Sequence, residues 1–190
     1  MKKIFASAVL VSSLLIVGNM TTSCSKVEDL IDDISVPIPF TIPLSFEAQI
    51  PLATADTNEY VTYPEIAVNL DVDAKIKEKY PSLSANNLKS AKLDNFSIDY
   101  LSSTGGTKLD ALKDAKLYLK TPDLPELLVA ESLNNVNPNT INFTPTANTE
   151  LISYLKSKQN SFILKIRGSK VALDAVKIKV NSGFKIEVGL

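Results

Sequence analysis

Between residues 36 and 52 the chain alternates without a break. Val36, Ile38, Phe40, Ile42, Leu44, Phe46, Ala48, Ile50 and Leu52 are apolar, and the residues between them are Pro, Thr, Ser, Glu or Gln. A period of two is the signature of a half-buried β-strand. Seventeen residues at ~3.3 Å each would span ~56 Å, so a bend or break near Pro43 is expected. Pro37, Pro39, Pro43 and Pro51 all fall at odd positions. Successive N–H groups of a strand point to opposite edges, so all four missing donors lie on one edge. The segment should therefore pair through its even-numbered residues and leave the proline edge unpaired, as a protected edge strand does.

The same alternation recurs down the chain. It runs through Ile66, Val68, Leu70 and Val72, then Phe96, Ile98 and Tyr100, then Ala115, Leu117 and Leu119, and then Phe162, Leu164 and Ile166, with shorter runs at 127–130 and 140–143. Near the C-terminus, Val176, Ile178 and Val180 precede Asn181-Ser182-Gly183, and Phe184, Ile186, Val188 and Leu190 follow. That pattern predicts a terminal hairpin turning at 181–183. Helical patterns are few. Asp73 is placed to cap a helix over 74–80 that Pro81 stops, and 149–158 presents Leu151, Ile152 and Leu155 on one face. About nine short strands with one or two short helices predict a mainly β fold, an antiparallel β-sandwich, immunoglobulin-like or similar, over residues 36–190.

The N-terminus follows other rules. Lys2 and Lys3 precede an apolar stretch from Ile4 to Val17, interrupted only by Ser7, Ser12 and Ser13. Fourteen residues fall short of the ~20 needed to span a bilayer. Gly18-Asn19 then breaks the run, and Thr21-Thr22-Ser23-Cys24 follows. This is the layout of an exported signal peptide, 1–23. The cysteine at its end resembles the lipobox of bacterial lipoproteins, with Thr21 where Leu is usual. Bacteroidetes-type lipoproteins are looser at that position, and Ser25-Lys26-Val27-Glu28-Asp29 resembles their acidic surface-export flank. The resemblance implies that Cys24 is the lipid attachment site and that acyl chains hold the protein at the outer membrane, with display on the cell surface. Residues 24–35 would then be a lipidated N-terminus and acidic tether, beginning with a Ser25/Glu28 capping box. No other apolar run approaches spanning length, so the remaining domain is expected to be tethered rather than embedded.

Composition narrows the chemistry. The 190 residues include no His, no Trp and one Cys. That removes His-based triads, His-ligated metals, disulfide frameworks and tryptophan platforms. Arg167 is the only arginine among 20 basic residues, and the formal charge is -1. Loss of 1–23 leaves 18 basic against 21 acidic residues, a net charge of -3. There is no basic block for nucleic acid. Asp71-x-Asp73 would share a face on a strand, but two carboxylates are too few for a calcium cage. The acidic residues Glu28, Asp29, Asp32 and Asp33 read as a solvated first helical turn. Asn134-Asn135-Val136-Asn137-Pro138-Asn139 reads as a turn-rich loop, and Ser103-Thr104-Gly105-Gly106-Thr107 as a flexible hairpin tip without the lysine of a phosphate loop. No catalytic residue, metal ligand or cofactor is assigned, and no residue set stands out as ligand-binding.

These features favour a non-enzymatic, lipid-anchored envelope protein with a binding or assembly role. A protein of the envelope or a glycan is the expected kind of partner. A fimbrial or adhesin subunit and a glycan-binding accessory lipoprotein of an uptake system are the alternatives. Bacteroidetes fimbrillins share the lipoprotein leader, but Arg167 lies far from the first strand, where many of them are cleaved.

Overall fold

A computed structural model describes residues 38–51, 58–168 and 174–189. The leader, Cys24, the acidic segment 25–33 with its capping box, and Val36, Pro37, Leu52 and Leu190 lie outside the described residues. Nine strands form one antiparallel sheet: β1 (Ile38–Pro51), β2 (Val61–Thr62), β3 (Ile66–Val68), β4 (Leu88–Ser103), β5 (Leu112–Thr121), β6 (Leu124–Ser132), β7 (Thr140–Pro145), β8 (Asn160–Gly168) and β9 (Ala175–Val188). Their order is β1-β9-β4-β7-β6-β5-β8-β2, with β3 beside β2 on the outer side of β8. Two short helices, α1 (Val72–Lys79) and α2 (Ile152–Leu155), complete the described elements, with single 3₁₀ turns at Ala85–Asn87 and Leu109–Ala111.

The fold is mainly β and sandwich-like. Its two layers are halves of a single curled sheet, joined through β7, which pairs with β4 on one side and β6 on the other. The inward rows meet across the interior. The Phe162 ring of β8 lies 6.4 Å from Phe46 of β1 and 5.3 Å from Phe96 of β4, and Phe96 in turn meets Phe143 of β7 at 5.0 Å. Ile98, Leu117, Leu119, Ile166, Ile178 and Ile186 are fully buried between the halves. Alternation thus identified the core-facing positions of these strands correctly.

β1 does not break at Pro43. It pairs residue for residue with β9 from Ile38–Val188 to Pro51–Ala175, with no register shift. At ~3.3 Å per residue this is about 46 Å of strand. It is sustained because its partner β9 also has 14 residues and β4 has 16. The direction of its hydrogen bonds follows from its neighbours. The Tyr100 N–H donates to the Asn139 carbonyl, and the Ala91 N–H to Glu150, so both residues turn away from β9. Their odd- and even-numbered neighbours Asp99 and Lys92 therefore face β9, opposite Lys179 and Lys185. Even-numbered residues of β9 then face β1, where they meet Phe40, Ile42, Phe46 and Ala48. Pro39, Pro43 and Pro51 sit with their missing donors on the outer edge, as the proline spacing predicted.

The terminal hairpin does not form. Residues 181–183 lie mid-strand in β9, between β1 and β4. Asn-Ser-Gly has turn chemistry, but Val180, Ser182 and Phe184 keep the even-numbered register, so both flanks bury the same face without a reversal. Gly183 also has a packing reason to lack a side chain: a Cβ there would stand 2.7 Å from Asn95 Nδ2 and 3.3 Å from Thr41 Cγ2. The 103–107 loop is likewise no hairpin tip, because β4 and β5 belong to opposite halves and do not pair.

Helix α1 starts two residues earlier than predicted, and its cap is Asp71 rather than Asp73. That residue adopts φ 31° and ψ 55°, and its side chain accepts from the Ala74 N–H at 3.2 Å. Starting the helix at Val72 places Val72 and Ile76 on one buried face. Asp73 lies inside the first turn, so Asp71 and Asp73 are not strand neighbours. α2 is a single turn, shorter than 149–158. Glu150 anchors it, with one carboxylate oxygen accepting from the N–H groups of Ala91 at 2.6 Å and Leu151 at 3.0 Å. The Leu151 N–H donates to the Ala91 carbonyl at 2.7 Å. These bonds satisfy the part of the β4 edge that β7 does not reach.

Candidate functional site

The half containing β8 carries a polar groove at its edge, assembled from four separated parts of the chain. A hollow of about 500 Å³ lies between the N-terminus of α1, the 3₁₀ turn at Ala85–Asn87 and the segment after α2. Asn69, Asp71, Asp73, Asn86, Lys156 and Lys158 supply its polar and charged groups, with Ser157 beside them. A second hollow, of about 380 Å³, shares Asn69 and Lys158 with the first and continues along β3 and the start of β8 past Gln159, Asn160 and Ser161. A third, of about 270 Å³, shares Gln159 and Ser161 and ends at Glu65, Lys120 and Thr121. The three hollows are neighbours that share wall residues.

Local chemistry places each group. The α1 turn projects Asp71 and Asp73 toward the groove, and each already has a partner. Asp73 binds Lys77 at 2.6 Å and accepts from the Ala85 N–H at 2.9 Å. These contacts, Lys77 foremost, hold its carboxyl below the usual range. At the far end, Lys120 donates to Glu65 at 2.6 Å; that bond lowers the Glu65 pKa and raises that of Lys120. Asn160 is 4% exposed. Its Nδ2 donates to the Ser157 carbonyl at 2.9 Å, while Oδ1 is buried and has no hydrogen-bond donor. A buried acceptor left unpaired is uncommon and unfavourable.

Beyond the groove, two constellations read from sequence are structural. In the 134–139 loop, Asn135 Nδ2 donates to the carbonyls of Leu109 and Leu112 at 2.8 and 3.2 Å, and Asn137 Oδ1 accepts from the Asn139 and Thr140 N–H groups. The amides thus fold their own loop, as a turn-rich segment should. In the 103–107 loop, the Asp174 carboxylate accepts from Thr104 Oγ1, from the Gly105 N–H at 2.8 Å and from the Thr107 N–H at 3.0 Å. Led by the Thr104 hydroxyl, these donors hold the Asp174 pKa far below the usual carboxylate range.

Arg167 is also committed. Its Nε and Nη2 donate to Asp114 Oδ2 at 2.9 and 2.6 Å, and its guanidinium lies 5.2 Å from the Tyr60 ring. Desolvation would raise the Asp114 pKa, but the Asn134 N–H and Arg167 outweigh it and lower it. Lys116 sits 4.8 Å over the same Tyr60 ring, and Lys165 4.3 Å over Tyr118. Tyr63 and Tyr154 are buried, and the half-buried Tyr60, Tyr80, Tyr100 and Tyr118 each have a lysine ammonium within 6 Å of the ring centroid. Among the described residues, no group of three or more Cys, Asp or Glu is arranged to hold a metal ion. No described helix is long and apolar enough to cross a membrane.

No family model matches the sequence, and no curated protein matches it. Among solved structures, the chain resembles one from a structure of turnip yellow mosaic virus at 100 K. Identity is 11% over 81% of this chain and 96% of that one, with a TM-score of 0.24. A similarity of that size carries no argument about function.

Proposed function

We propose that this chain is a lipid-anchored protein of the bacterial cell envelope whose folded domain binds a partner without catalysing a reaction. The observation that carries this reading is the N-terminal pattern of Lys2-Lys3, a 14-residue apolar run and Thr21-Thr22-Ser23-Cys24. Two or more acyl chains on Cys24 would give stable attachment, whereas one gives only marginal binding. The described carboxyl groups whose pKa values are displaced, Glu65, Asp73, Asp114 and Asp174, all move downward. A general acid working near neutral pH needs the opposite shift, which favours binding over acid–base chemistry. Proline guards β1, and on the other side two strands of two and three residues flank Pro64. Such edges favour a separately displayed domain over a subunit that polymerises by accepting foreign strands.

The test is replacement of Cys24 by Ser in the native host. The wild-type chain should incorporate labelled palmitate and partition into the detergent phase, and the variant should do neither and appear in the soluble or secreted fraction. Unchanged partitioning and labelling of the variant would reject lipid attachment.

A further inference from the structure

We infer that the outer edge of β1 between Pro43 and Pro51 is a strand-addition site that takes an extended peptide segment of a partner protein. This rests on the binding role proposed above and names the chemistry of the partner. Two independent observations fall on the same stretch, Leu44 to Ile50. The first is in the backbone. β1 ends the sheet, and among the described residues no backbone group bonds to its outer edge. Pro39, Pro43 and Pro51 have no donor to offer there, but Ser45, Glu47 and Gln49 keep theirs, and each also offers a carbonyl. The prolines therefore bound a window in this edge. The second observation is in the core. The inward row of β1 is buried at Phe40, Ile42 and Ile50, yet Leu44, Phe46 and Ala48 between them are only half-buried. Up to Pro43 the strand has a neighbour: Lys79 of α1 lies 5.0 Å over the Phe40 ring, and Tyr80, just past the helix, meets that ring at 5.7 Å. In the other half of the sandwich, the inward residues Val61 of β2 and Ile66 of β3 are half-buried too. The apolar layer is thus incompletely covered where the ladder is unpaired.

The occupant follows from this chemistry. Strand addition draws affinity from main-chain hydrogen bonds and specificity from alternate side chains. An incoming segment with aliphatic side chains at alternate positions would bond to Ser45, Glu47 and Gln49 and lay its apolar row beside Leu44, Phe46 and Ala48. Its other row would lie beside the polar side chains of Ser45, Glu47 and Gln49, and so would be polar. The window is half of the 14-residue strand, which suits a short recognition segment rather than exchange of whole strands between subunits. A second copy of this chain fits badly. Antiparallel pairing about Glu47 would set two glutamates opposite each other and Pro43 opposite Pro51, where carbonyls would meet no donor. A saccharide or a phosphate makes no use of donors and carbonyls spaced along a strand above an aliphatic row.

The test is fluorescence anisotropy of the full chain in detergent with a labelled peptide, acetyl-Lys-Val-Thr-Val-Thr-Val-Lys-amide, whose valines alternate. One comparison peptide groups the valines together, and another carries N-methyl groups at both threonines, whose N–H groups would face β1. The alternating peptide should bind, and each comparison peptide should bind roughly tenfold more weakly or worse. Ser45→Pro and Gln49→Pro extend the native proline pattern into the window without touching the ladder to β9, and each should raise Kd roughly three- to tenfold. Thr41→Pro removes a donor outside the window and should leave Kd unchanged. Circular dichroism and urea midpoints confirm that each variant is folded; should a proline variant fail to fold, the N-methylated peptide decides. Equal binding of the N-methylated peptide, an unchanged Kd in both folded window variants, or no binding by the folded wild type would each overturn the assignment. Self-association of the wild type that Gln49→Pro abolishes would assign the window to a second copy and overturn it as well. None of these results would alter palmitate incorporation at Cys24, so failure here is distinguishable from failure of the lipoprotein reading.

Discussion

Ser182 and Asp174 show how single side chains are tuned in this protein. Ser182 lies on the buried face of β9 between Leu44 of β1 and Phe96 of β4, with its Oγ unpaired. A buried hydroxyl without a partner is unfavourable, and its removal leaves only a small void. Ser182→Ala should therefore stabilise the protein by up to about 1 kcal/mol, read as a higher urea midpoint. A clear loss of stability would mean that the hydroxyl is satisfied in solution. Asp174 works in the opposite sense. Its folded pKa is lowered, so the unfolded chain binds more protons as pH falls toward the acid range. The stability it contributes is present above its unfolded pKa, about 4, and drains away as pH drops toward the folded value. Urea midpoints between pH 5 and pH 2 should fall steeply in the wild type and less steeply in Asp174→Asn. The variant should also be the less stable of the two at pH 7.

Among the elements, β1 carries the most distinctive design. With its even-numbered residues bonded to β9, the odd-position prolines remove donors from the free edge and cost the ladder nothing. Replacing Pro39, Pro43 and Pro51 together by Val should keep the fold, since Val suits a strand. It should also restore three outward N–H groups, and sedimentation velocity should then detect concentration-dependent association that the parent lacks. A variant that stays monomeric at all concentrations would show that proline is not what protects this edge. The strand's existence, inward face and free edge were all legible, because alternation and proline geometry act locally. The hairpin at 181–183 was misread because local turn chemistry was weighed above a register that never shifts. The start of α1 was misread for a related reason: Asp71 and Asp73 are equally able to cap, and only tertiary burial of Val72 and Ile76 decides between them.

For the whole molecule, the sandwich depends on contacts between halves that no local pattern reports. Phe162 meets β1 through Phe46 and β4 through Phe96, so Phe162→Ala should cost about 3–5 kcal/mol in urea unfolding. A loss below about 1 kcal/mol would mean that the halves are not packed on each other there. The candidate groove was nearly illegible in the sequence for the same reason. Its walls come from residues 65–73, 85–86, 120–122 and 155–161, distant in sequence, and the pairing of β3 and β5 with β8 helps bring them together. Asp71-x-Asp73 alone drew notice, as a weak metal motif; it borders the groove as a helix cap and an ion-pair partner. Asn160 gave no signal at all, because an unpaired acceptor is defined by its surroundings.

The position of β9 has a kinetic consequence. The first described strand and β4 both lean on the last one, so the β1–β9–β4 layer cannot assemble until residues near 188 are available. Contacts this distant in sequence make folding slow. A ribosome-bound chain would hold β1 and β4 without their common partner, and so leave this layer open until β9 emerges. Deleting residues 184–188 should therefore do more than fray an end. It should leave the β1-containing half without its central strand, and the loss should be visible as protease sensitivity throughout that layer.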